Sequence, residues 1–389
     1  MSLVDEFSIL ISVCYLLVFF NTLKFRIRLL KNALLFFAVY FIIAIISSLF
    51  GEVVFGQFIL QLSLDLKPFI IMALLILCYD NNTVSRFEMF LKYILICNLP
   101  FVIWQIISVS TYDEFFSNGS HFGLVYTADG GEYSRAAGAF WFTGIYALFC
   151  SLSVGYFFSK ILTVKESNNT DWFFLFLSTG LLTLSLSRGE IFSCIVSCIL
   201  IYLIYSKNFI FKKINLVGLL SAFFIVLVVF SAELERWMVE LGFLTGTIDL
   251  APRAIFMQSA LSISGEYFPF GAGLGSFGGK AAVDYDSIFF YKYLISHEWY
   301  FNYGYFLTDT FWPKVLAETG VFGAIFYLLV FVVLLKIAAQ SRSLCAGYTL
   351  FALLFMLINS LSAPVLNDSF SMALSFFLFF GIFNRGGKE

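Results

Sequence analysis

Charge is what this chain has least of. Of its 389 residues only 12% are Asp, Glu, Lys or Arg, about half of what a soluble domain carries. A water-soluble fold of this size is therefore excluded. Histidine occurs twice, as His121 and His297, so imidazole chemistry has at most two addresses. No basic face and no aromatic-basic stripe is present, and nucleic acid is not a partner. The seven cysteines, Cys14, Cys78, Cys97, Cys150, Cys194, Cys198 and Cys345, all lie inside apolar runs. They read as small buried hydrophobes, neither disulfides nor ligands. Cys194 and Cys198 share a helical face, but further ligands are lacking nearby, so no metal is expected there. A Walker loop, a zinc spacing, a Ser/His/Asp triad and an internal repeat are also missing, and no cofactor is implied. The N-terminus has no positive region ahead of its first apolar run. That run is therefore expected to be a retained span and not a cleaved leader.

Apolar residues fill the space that charge leaves. The chain is 60% hydrophobic and 20% aromatic, with 52 Phe and 20 Tyr, and its mean hydropathy is +0.92. Its apolar runs are long enough to cross a hydrocarbon layer roughly 30 Å thick. The expected fold is all-α: a polytopic integral membrane protein with about 11 transmembrane helices, within a range of about 10 to 12. The third run is interrupted by Asp65, Lys67 and Pro68, and two readings stay open. The ionisable residues either face a cavity within a span, or sit at the outer interface with Pro68 in the first turn of a shorter helix.

Lys24, Arg26, Arg28 and Lys31 form the densest basic cluster. The positive-inside rule makes it cytoplasmic and places the N-terminus outside. Alternation from there puts most of the 23 basic residues on the cytoplasmic side. Residues 1–389 then form a single polytopic domain, and the longest break between spans, 231–319, is an extracytoplasmic, periplasmic loop.

Four arginines on that outer side carry the chemistry: Arg135, Arg188, Arg236 and Arg253. A guanidinium binds phosphate bidentately and stays charged in a low dielectric, so several together suit a pyrophosphate. The competing reading is anchoring at lipid headgroups. Arg188 stands in a tight Ser187-Arg188-Gly189 break between two spans, where Glu190 either pairs with it or orients it. His297 and Glu298, in a loop rich in Tyr and Trp, are the candidate general base. The alternative is a packing histidine in an aromatic loop. Gly273-Leu-Gly275-Ser-Phe-Gly278 matches the dinucleotide fingerprint formally, but no βαβ unit surrounds it. It reads as a tight backbone turn.

Three features together resemble the O-antigen polymerase and ligase superfamily. Arg135-Ala-Ala-Gly-Ala-Phe140 opens a span, and Leu184-Ser-Leu-Ser-Arg188-Gly189 closes another. The third is an order along the chain: Arg253, Phe268-Pro-Phe-Gly-Ala-Gly-Leu-Gly-Ser-Phe277, His297, then Leu316-Ala-Glu-Thr-Gly320-Val-Phe-Gly323. The resemblance covers roughly residues 135–335. It implies a membrane-embedded, GT-C-like glycosyltransferase, inverting and metal-independent, in the bacterial inner membrane with its site facing the periplasm. Donor and acceptor would be undecaprenyl-pyrophosphate-linked oligosaccharides, with Arg135, Arg188, Arg253 and Arg236 on the pyrophosphate and His297 or Glu298 as base. Whether a chain-length regulator binds stays open.

In the ligase branch the loop histidine stands close before the glycine pair of the next span. Here His297 lies more than twenty residues ahead of Gly320. That spacing favours a repeat-unit polymerase over a ligase acting on a lipid A core. A flippase for the lipid-linked repeat is the non-enzymatic alternative.

Overall fold

The computed structural model describes residues 30–80, 82–116, 124–126, 132–140, 142–164, 168–205, 252–298, 300–302, 304 and 306–383. The first and eighth expected spans, His121 and Arg236 lie outside the described residues. In lipid each backbone N–H and C=O must find its partner inside the chain, and apolar runs meet that demand as helices. In order these are α1 (Lys31–Phe50), α2 (Phe55–Cys78), α3 (Thr83–Ile107) and the short α4 (Val109–Phe116). An antiparallel hairpin of β1 (Leu124–Tyr126) and β2 (Glu132–Ser134) follows, then a 3-10 turn at Gly138–Phe140. Next come α5 (Thr143–Thr163), α6 (Asn169–Leu184) and α7 (Arg188–Tyr205). After α8 (Pro252–Glu266) stand two short helices, α9 (Lys280–Asp284) and α10 (Ile288–Lys292), and a 3-10 turn at Ile295–His297. The chain closes with α11 (Trp312–Ala339), α12 (Leu344–Asn359), α13 (Ser369–Phe376) and a 3-10 turn at Phe379–Phe383.

Among the described residues six helices are long and apolar enough to cross a membrane: α1, α2, α3, α5, α7 and α11. The protein is thus an α-helical, multi-pass membrane protein, with one small hairpin in its polar segment. Its helices fall into two compact units, each discontinuous in sequence. One comprises Met1–Leu77, Ser206–Ile337 and Met356–Met372; the other comprises Cys78–Tyr205, Ala338–Phe355 and Ala373–Glu389.

In the first unit the glycine run does not wave in solvent. Residues 271–279 are buried throughout. Ala272 N–H donates to the Ala317 carbonyl at 2.8 Å and Gly273 N–H to the Glu318 carbonyl at 3.0 Å. Ser48 Oγ accepts from Leu274 N–H at 2.8 Å, and Gln57 Nε2 donates to the Gly275 carbonyl at 2.6 Å. The run crosses α11 where that helix is interrupted, at Gly320 (φ 65°, ψ −170°). A Cβ on Gly320 would lie 2.2 Å from the Pro269 carbonyl oxygen, and one on Gly271 would lie 2.5 Å from Gly320 N. Both have positive φ, so only glycine fits either side of the crossing.

Beneath this crossing the structure decides between the two readings of the third apolar run. Helix α2 continues through Pro68, and Asp65 is buried within it. The interfacial reading is therefore incorrect. Asp65 Oδ1 receives Lys314 Nζ at 2.7 Å and Gln61 Nε2 at 2.8 Å. Lys314 also lies 3.8 Å from Glu318 Oε2, while Glu318 Oε1 accepts Gly275 N–H at 2.9 Å. Lys314, in the stretch expected as an extracytoplasmic loop, is only 2% exposed, with its counter-charges buried beside it. In the same unit Phe256, Ile263, Phe277, Phe289, Phe290, Ile295 and Tyr300 share one apolar core. Much of the long polar break is thus folded.

The second unit packs α3, α5, α6 and α7 with parts of α12 and the C-terminal segment. Phe87 meets Tyr156 edge-on at 5.6 Å and stacks on Phe377 at 4.8 Å. Near the end of α5, Lys160 bridges Glu88 at 2.8 Å and Asp171 at 2.9 Å. Tyr156 adds a hydroxyl to Glu88 at 2.9 Å. The arginines lie toward the opposite end of α5.

Candidate anion site at the start of helix α7

Helix α6 stops at Leu184, and the chain reverses through Ser185, Leu186 and Ser187 before α7 begins at Arg188. Leu186 takes a positive φ of 49° to make the turn, a conformation uncommon for a residue with a Cβ. The segment that opens α5 runs beside this turn, with Ala136 N–H donating to the Leu184 carbonyl at 3.0 Å. Arg135 is thereby laid across it. Its Nη2 donates to Ser187 Oγ at 3.0 Å and its Nε to the Ser185 carbonyl at 3.3 Å. Ser187 Oγ in turn donates to Glu190 Oε2 at 2.6 Å. The hydroxyl therefore links Arg135 to Glu190.

Arg135 and Arg188 are thus brought together, and their charges interact. Burial pushes the Arg135 guanidinium below the usual arginine range; Glu190 opposes this and Arg188 adds to it. Helix α7 begins at Arg188 itself, and a helix N-terminus favours negative charge. Two guanidinium groups and one carboxylate, all half-buried, form a cation-rich cluster at the start of the helix. Its chemistry suits phosphate oxygens and repels a bare cation.

The other predicted residues stand in the first unit. Arg253 lies in the first turn of α8. Its charge acts on Asp309, whose carboxyl is pushed upward by burial and held back by Arg253. His297 is exposed at the end of its 3-10 turn, and Glu298 beside it is half-buried. Glu298 lies near Tyr300, whose hydroxyl is pushed upward by burial first and by that carboxylate second.

Reading by motif missed several of these groups. Asp309 carries no pattern, and its neighbour Arg253 is 56 positions away in the chain. Gln105 and Asn98 on α3 did leave a signal, as two amides seven residues apart in an apolar run. Reading by motif also passes over Asp284-Tyr285-Asp286, the Asp-x-Asp pattern of metal-dependent sugar transfer. Its carboxylates are engaged separately. Asp284 takes Lys280 at 2.8 Å, and Asp286 accepts the Tyr291 hydroxyl at 2.8 and 2.9 Å. Among the described residues no group of three or more His, Cys, Asp or Glu is placed to hold a metal ion.

Residues 173–328 match the family described as O-antigen ligase. The matched stretch contains Arg188, Arg253, the buried glycine run, His297 and the Gly320 break, and it begins after Arg135. No curated protein matches the chain significantly.

Proposed function

We propose that this chain, a member of the O-antigen polymerase and ligase superfamily, polymerises lipid-linked sugar repeats by glycosyl transfer at the outer face of the bacterial inner membrane. The observation that carries the proposal is the pairing of Arg135 and Arg188 at the start of α7. In the reaction an acceptor sugar hydroxyl attacks the anomeric carbon of a repeat held on undecaprenyl pyrophosphate. The new C–O bond forms as the bond to the pyrophosphate breaks, with inversion. The lipid pyrophosphate departs with the electron pair, and the hydroxyl proton passes to a base. Charge develops on the leaving group, and preorganised guanidinium groups and helix N–H groups stabilise it most where water is excluded. Arg253, beside Asp309, is the donor-side cation of the first unit, and His297 or Glu298 is the base. No step requires a metal.

A second reading has support of its own. The matching family is described as an O-antigen ligase, and a ligase would use the same donor chemistry to load a lipid A core. The spacing of His297 from Gly320 favours the polymerase. A deletion strain complemented with wild type or His297→Ala separates the readings through its surface glycan. Loss of a polymerase leaves a single repeat on the core, loss of a ligase leaves none, and loss of a flippase strands the repeat inside. His297→Ala should reproduce the single-repeat pattern, since removing a base typically costs ~10²–10⁴ in rate. A bare core in the deletion strain would overturn the polymerase in favour of the ligase.

A further inference from the structure

We infer that Gln105, seconded by Asn98, is a positioning residue that sets where Arg135 presents its guanidinium to pyrophosphate; the inference rests on the function proposed above. Both amides lie on one face of α3, seven residues and about two turns apart, and each is only 2% exposed. A carboxamide in an apolar helix is costly unless its donors and acceptors are matched. Here the match is to the backbone that carries Arg135. Gln105 Nε2 donates to the Arg135 carbonyl at 2.8 Å, and its Oε1 accepts Ala137 N–H at 2.8 Å and Gly138 N–H at 3.4 Å. Asn98 Oδ1 accepts Ala139 N–H at 2.8 Å. Tyr112 completes the set, its hydroxyl donating to the Gly138 carbonyl at 2.5 Å.

Residues 135–137 belong to neither helix nor strand, so these side chains supply partners that a neighbouring strand would otherwise give. Arg135 is fixed from two directions. Gln105 grips its carbonyl and the N–H two residues on, while Ser185 and Ser187 hold the guanidinium. The Arg135 backbone cannot slide along α3 without breaking the Gln105 bonds. Amides that served only to pack helices together would spend their bonds on helix backbone. Asn98 Nδ2 does so, to the Ile94 carbonyl at 2.8 Å, but both ends of Gln105 go to the Arg135 segment.

The test uses the full-length protein in nanodiscs, turning over a polyprenyl-pyrophosphate-linked oligosaccharide with inorganic pyrophosphate as the competing anion. Gln105→Met keeps the length and apolar fit of the side chain but removes all three bonds. Its pyrophosphate inhibition constant should rise about tenfold, the equivalent of one misplaced charge-assisted contact, and the donor KM should rise with it. Asn98→Leu, acting one step further from Arg135, should raise the constant roughly two- to threefold. A loss of folded protein alone would lower the rate and leave the constant where it was. Should Gln105→Met fail to accumulate, Gln105→Asn decides, because its amide is one methylene too short to reach both partners and the same rise is expected. A wild-type constant in the accumulating Gln105 variant, beside a raised constant in Arg135→Ala, overturns the positioning role and leaves the pyrophosphate site standing. A wild-type constant in Arg135→Ala overturns the site itself, and the positioning role with it.

Discussion

Each of the two units holds a cluster of ionisable groups, and the clusters differ in how their charges are met. Under the glycine run, Lys314 has Asp65 at 2.7 Å and Glu318 at 3.8 Å, and each of the three is less than a tenth exposed. At the start of α7, Arg135 and Arg188 have Glu190 beside them, its Oε2 engaged by Ser187, and both arginines are half-buried. The first cluster is buried: its counter-charges come from the fold, and one oxygen of its second carboxylate accepts a backbone N–H of the glycine run. The second is rich in cation and accessible. Removing one partner from a sealed group leaves an uncompensated buried charge, whereas an accessible cluster in which one sign predominates is a place for a ligand.

Removing one charge from the sealed cluster should give the largest effect. Lys314→Met would leave two buried carboxylates uncompensated, at a cost of about 3–5 kcal/mol. Thermal unfolding in detergent should show a steep loss of stability, partly recovered in the Asp65→Asn/Lys314→Met double variant. If the single variant melts like wild type, the cluster is not structural and the contrast fails. Next comes Arg188→Ala, which should still insert and melt normally but lose roughly 10²–10³ in rate, as when an oxyanion-stabilising donor is deleted. Arg188→Lys should recover only part, since an ammonium lacks the guanidinium fork. A fully active Arg188→Ala at normal membrane levels would make this arginine a headgroup anchor. The smallest effect is expected at the Lys292–Glu266 pair, 2.5 Å apart and well exposed. Lys292→Ala should give only a small shift in melting with turnover intact, since exposed ion pairs contribute little. A larger loss would mean that charge at the loop surface matters as much as charge in either cluster.

What could be read in advance follows the range of the interactions concerned. The spans were legible because hydropathy is local: α1 ends at Phe50 and α7 at Tyr205, each where an apolar run gives way to polar residues. The environment of Asp65 was not, since its partner Lys314 is 249 positions away and no local pattern announces it. The same holds for the start of α11, where Trp312–Thr319 looked like loop because it is polar. In the fold its Lys314 and Glu318 are buried, Lys314 on Asp65 and one oxygen of Glu318 on the Gly275 N–H. Arg135 and Arg188 were each marked by a short motif, but their meeting was not. It depends on the 52-residue link between Arg135 and Ser187 and on two amides of α3, whose spacing in an apolar run marks them as buried but does not name their partners.

The distance in sequence between Asp65 and Lys314 also bears on how the protein is made. Helix α2 leaves the ribosome 249 residues before the lysine that will meet its carboxylate. At about 5–20 residues per second, Asp65 waits on the order of ten to fifty seconds without its final partner. An unpaired acidic residue at a helix centre opposes insertion by about 2.5–3.5 kcal/mol. The remainder of α2, with Ile, Leu, Phe and Met through most of its length, must carry it across. Gln61, one turn earlier on the same helix, is already at hand, 2.8 Å from Asp65 Oδ1 in the finished fold. A helix that brings its own temporary partner can enter the bilayer early and receive its counter-charge late.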